Sequence, residues 1–130
     1  MNFSDEERDA LRDAAFGALA LVCAADPGVL AAMREEQAGV AVFATAPREL
    51  AVLLTGGMPL LPKGDPAAAE AAVLARLTAA GVLLRAKAPH WVQPYRNAVE
   101  EACLRAAQAS NGTSDTEAAA IDKVRQALAR

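Results

Sequence analysis

The sequence predicts an all-α fold, a single compact bundle of about six or seven helices. Three observations carry that expectation. Apolar residues recur at three- and four-residue steps through most of the chain. Helix-start signatures precede these stretches, and Gly or Pro punctuates their ends. The composition is 54% hydrophobic, yet three Phe, one Trp and one Tyr supply all its aromatic bulk, because much of the apolar content is alanine. Alanine loses no side-chain entropy in a helix and lets neighbouring helices approach closely.

Ser4 followed by Glu7 is a capping box, in which hydroxyl and carboxylate satisfy orphan backbone N–H groups reciprocally, so a helix begins at Asp5. Its stripe is Leu11, Ala15, Ala18, Leu19, Val22 and Cys23, and Asp26, Pro27 and Gly28 stop it. A second helix covers Leu30 to Ala44, with Met33, Val40 and Phe43 inward. Pro47 suits the first turn of a short third helix, whose Leu50, Leu53 and Leu54 lead into Gly56 and Gly57.

Met58 to Asp65 contains Pro59, Pro62 and Gly64 and propagates neither helix nor central strand; it is the main loop. Asp65 caps the next helix, Pro66 takes its first position, and the stripe of Val73, Leu74 and Leu77 ends at Gly81. Val82 to Lys87 is ambiguous: Gly-Val-Leu-Leu after a helix could begin a buried strand, but with Pro89 so close a short separate helix is favoured. Pro94 opens a long helix with Tyr95, Ala98, Val99, Ala102, Cys103 and Ala106 on one face and Arg96, Glu100, Glu101 and Arg105 on the other. It ends near Asn111 and Gly112, and a second capping box, Ser114 with Glu117, starts a last helix with Ile121, Val124 and Leu128 buried.

The competing architecture is α+β, with a hairpin over residues 39–55. Val40, Val42 and Phe43 favour strands, but Pro47 and Arg48 are not a favoured hairpin turn and no partner strand is evident.

At 130 residues the chain is the size of one domain, long enough to bury about two-thirds of its unfolded surface. Sixteen acidic and 13 basic residues are spread along it, for a formal net charge of −3, so no basic stripe exists to gather the phosphates of a nucleic acid. No uninterrupted apolar run reaches the roughly 18 residues needed to span a bilayer. Asn2 to Asp9 carries acids where a signal peptide carries basic residues, and the location read from this is cytoplasmic. Cys23 and Cys103 stand in separate apolar stretches with no Cys or His beside them, as buried thiols do.

Two stretches look alike. Residues 20–28, Ala-Leu-Val-Cys-Ala-Ala-Asp-Pro-Gly, and residues 105–112, Arg-Ala-Ala-Gln-Ala-Ser-Asn-Gly, each end an alanine-rich helix in a short polar turn with Gly. Each precedes a helix in which an acid, Glu36 or Glu117, lies four and seven residues before two apolar positions. With this repeat the sequence resembles the TerB-like (tellurite-resistance) family. The resemblance implies an all-helical fold of two related units, each with an Ala-Asp-Gly turn and an acid early in the next helix. Pro27 interrupts the first Asp-Gly pair, so Glu35 or Glu36 matches the acid there, and Ser110 stands where the family usually has an aspartate. The resemblance further implies a stress-response module that binds a divalent cation through Asp26, Glu36, Asn111 and Glu117 and docks to partner proteins. Carboxylate and carbonyl oxygens suit a hard cation, although the spacing is not that of an EF-hand loop. Without the metal, Asp26 ends a helix, Glu117 completes a capping box, and the chain is a helical interaction or dimerisation domain.

Catalysis finds little foothold. His90 is the only histidine and no partner for acid–base work identifies itself; Pro89, Trp91 and Tyr95 make its surroundings an aromatic patch. No phosphate loop or nucleophile elbow occurs. Met58, Leu60 and Leu61 in the Pro-rich loop either fold onto the core or form a contact surface with a protein partner or a second copy of the chain.

Overall fold

The computed structural model describes residues 3–25, 29–109 and 115–130, and only the backbone over 29–36. It is an all-helical bundle: α1 (Asp5–Ala24), α2 (Val29–Ala44), α3 (Arg48–Thr55), α4 (Pro66–Lys87), a 3-10 turn at Pro89–Trp91, α5 (Val92–Gln108) and α6 (Asp115–Ala129). No strand occurs among the described residues, so residues 39–55 form no hairpin. Val40, Val42 and Val52 sit in α2 and α3, where burial of Phe43, Leu50 and Leu54 outweighs strand propensity.

Helix α1 is the central element and touches each of the other five helices. That position explains its alanines: Ala14, Ala15 and Ala18 are buried beside Leu11, Leu19, Val22 and Cys23. The capping box forms as expected, Glu7 N–H donating to Ser4 Oγ at 3.1 Å and Ser4 N–H to Glu7 Oε1 at 2.8 Å. Lys87 Nζ also reaches Glu7 at 2.7 Å, tying the start of α1 to the end of α4. Lys87 first, and then the Ser4 N–H, hold the Glu7 carboxyl below its ordinary pKa.

Helices α2 and α5 pack on one side of α1, α4 and α6 on another. Phe16 of α1 and Phe43 of α2 meet with ring centroids 5.1 Å apart. The α1–α2 crossing is close at Gly39, where a Cβ would fall 2.3 Å from Leu19 Cδ1. The predicted apolar faces of α5 and α6 are the buried ones, and all enter one hydrophobic cluster with α1.

Three helix boundaries and the facing of one side chain differ from the sequence reading. Pro47 is the N-cap residue of α3 rather than part of its first turn. Helix α5 starts at Val92, after the 3-10 turn, so Pro94 is its third residue, where the missing N–H still costs no intrahelical bond. Helix α4 does not end at Gly81 and absorbs the separate helix expected over Val82 to Lys87. Gly81 is buried within α4 and lies against the end of α6: a Cβ there would stand at ordinary contact distance, 3.5 Å from the Leu128 carbonyl and 3.7 Å from that of Arg130. Arg96, expected to face outward, is half-buried with its Nε enclosed. The Asn111–Gly112 turn and Ser114 lie outside the described residues.

Alanine plays two roles. In α1 and α5 it is core, whereas in α4 Ala67, Ala68, Ala71, Ala75, Ala79 and Ala86 are exposed. Helix α4 is therefore long and apolar enough to cross a bilayer by length and composition, with 28% of its most apolar window buried in the bundle. The polar residues within it make specific contacts: Glu70 pairs with Lys123 of α6 at 3.0 Å, and Arg76 bonds the preceding loop.

Candidate binding groove

The apolar loop does not fold onto the core. Met58 is 90% exposed and Leu60 73%. The loop is nevertheless fastened at both sides of Leu60: its N–H donates to Asp13 Oδ1 of α1 at 2.9 Å, and its carbonyl accepts from Arg76 Nη1 of α4 at 2.7 Å. Two side chains from two helices thus hold the backbone while the Leu60 side chain points to solvent.

Beside this loop lies an apolar groove of about 460 Å³ between α1, α4 and α6. Gly17, Leu21 and Ala24 line it from α1, Ala69 and Val73 from α4, and Ala119 and Ala120 from α6. Leu61 and Pro62 of the loop form a further wall. Gly17 sets its depth, since a Cβ there would stand 3.2 Å from Val73 Cγ2. The Glu70–Lys123 pair supplies the charge among the lining residues. A groove of this size and apolar character suits a ligand or an apolar segment of protein.

The four predicted metal ligands are only partly placed. Asp26 and Asn111 lie outside the described residues, and Glu36 lies on α2 where side chains are not described. Glu117 is in the first turn of α6 and is buried, 1% exposed. The last turn of α1 and the first turn of α6 border the same groove, through Ala25 and Thr116. Among the described residues no group of three or more His, Cys, Asp or Glu side chains gathers as a cation site would.

His90 is exposed on the 3-10 turn, its ring centroid 5.5 Å from that of Trp91. Among the described residues no hydrogen bond ties it to a second polar group. Cys23 and Cys103 are buried thiols. Burial first, then Cys23 and Glu100 nearby, push the Cys103 thiol up to about 12.

No family model, curated protein or solved structure matches the chain. Its functional reading rests on the residues and geometry above.

The loop was legible as apolar and Pro-rich, but its fastening was not. Asp13 and Arg76 are ordinary surface charges in their own helices, and nothing local links them to Leu60, 47 and 16 residues away.

Proposed function

We propose that this chain is a non-enzymatic helical interaction module that self-associates through the Met58–Leu61 loop and the groove beside it. The observation that carries the reading is the double fastening of Leu60. An apolar side chain held out to solvent on a fixed backbone loses little entropy on docking. The occupant is a second copy of the chain, because protrusion and groove are both apolar and adjoin on one face. A two-fold axis between them lets each copy insert Met58 and Leu60 into the other's groove, burying both features with one self-complementary patch.

Sedimentation velocity over a concentration series tests this. The expected result is a reversible monomer–dimer equilibrium that Leu60→Glu abolishes with an unchanged melting temperature. A monomer at every concentration overturns the reading, as does a dimer indifferent to Leu60→Glu.

A second reading follows the TerB-like resemblance: a stress-response module in which Asp26, Glu36, Asn111 and Glu117 hold a divalent cation. Its support is that the helix ends next to both predicted turns border one groove and that Glu117 is buried beside them. A cation bound only by the folded state raises the melting temperature. An unchanged melt with calcium, magnesium, manganese and zinc removes this reading.

A further inference from the structure

On another side of α1, the guanidinium of Arg12 is buried, with the residue 8% exposed. Its Nε donates to the carbonyl of Leu53 in the last turn of α3 at 3.1 Å, and its Nη1 to Asp9 Oδ1 at 2.8 Å. Arginine offers five N–H donors in a rigid fork, and these two bonds use two of them. The space beside the fork is kept clear by Gly57, where a Cβ would come within 2.9 Å of Nη1 and 3.1 Å of the guanidinium carbon.

Arg12 lines a cavity of about 490 Å³ between α1 and α3. Arg8, one turn earlier on α1, and Arg48, at the start of α3, line it too, and both are exposed. Glu49 is the one carboxylate in that lining. Three arginines therefore converge on one cavity in a chain whose formal net charge is −3. The cavity also has an apolar side, Val52 and Leu53, with Val52 63% exposed.

We infer that this cavity binds an oxyanion, the phosphate or carboxylate of a small organic molecule whose apolar part lies on Val52. Arg12, fixed by Leu53 and Asp9, is the rigid donor, while Arg8 and Arg48 close on the anion from the two helices. A fork geometry matched to carboxylate and phosphate is what arginine supplies and lysine does not. The inference is independent of self-association, since the Met58–Leu61 loop contributes nothing to this cavity.

Calorimetric titration of the full chain at low ionic strength, with inorganic phosphate and with phenyl phosphate, tests it. Both bind, and phenyl phosphate binds more tightly because its ring covers Val52. Replacing Arg8 or Arg48 with Gln weakens binding by about tenfold or more, the scale of one charge-assisted hydrogen bond. Both positions are exposed, so the fold is retained. Arg105→Gln, on the distant exposed face of α5, leaves binding unchanged. Absence of binding by both anions overturns the inference, and so does equal weakening by Arg105→Gln, which marks mere charge screening. Equal affinity for the two anions overturns the apolar side of the site.

Discussion

Tyr95 of α5 donates its phenolic O–H to the carbonyl of Leu11 on α1 at 2.7 Å, with both residues buried and 84 positions apart in the chain. This bond sets the rotation of α5 against the central helix, because the ring has to lie on the buried face with its oxygen over one particular carbonyl. Tyr95→Phe keeps the packing and removes the bond, and the Leu11 carbonyl retains its helical partner, so the cost is about 1 kcal/mol. Tyr95→Ala also leaves a cavity and costs about 3–5 kcal/mol. Urea denaturation measures both, and a Phe variant as damaged as the Ala variant would contradict this division.

Alkaline pH destabilises the fold. The Cys103 thiol titrates at about 12 in the folded state against an ordinary value of 9.0, chiefly because it is buried. The unfolded chain therefore releases this proton first. The contribution is complete below about pH 9 and is lost as pH rises toward 12. Tyr95, also raised by burial, acts in the same sense from its ordinary value of 10.0 upward. The melting temperature of Cys103→Ala should fall less steeply above pH 9 than that of the parent chain; parallel curves would show that Cys103 plays no part.

Gly39→Ala is expected to destabilise despite alanine's better helix propensity. The added Cβ would sit 2.3 Å from Leu19 Cδ1 and 2.8 Å from Cδ2, and Leu19 is itself buried. Overpacking of this kind costs about 1–3 kcal/mol, against about 1 kcal/mol gained from propensity. The net loss should shrink when Leu19→Ala is combined with it in a double-mutant cycle. Additive effects would show that the two positions do not meet.

Asp13→Ala and Arg76→Ala release opposite sides of the Leu60 backbone. Each removes one partly exposed bond, so stability should change by no more than about 0.5–1 kcal/mol. Self-association should nevertheless weaken in both, because the loop then has to be ordered on docking. Sedimentation and thermal melting on the same variants separate the two effects, and unaltered association in both would leave the fastening without a function.

Ser4 with Glu7, Asp65 with Pro66, and the stripes on α1, α5 and α6 were legible because they are local. A cap or a periodic face is decided by residues three or four apart, whose interaction does not depend on the rest of the chain. Contact between distant segments decided the remainder. Gly81 reads as a helix end until α4 is seen to run past it against the terminus of α6, and nothing local marks the alanines of α4 as exposed where those of α1 and α5 are core. Arg12 and Asp13 are neighbours on one helix with no local sign of difference, yet one is buried against Leu53 and the other fastens Leu60. Sequence alone thus determined the helical class and most helix limits. Which faces remained open, and which charges met across the bundle, depended on tertiary packing, because those energies arise only when segments tens of residues apart are brought together.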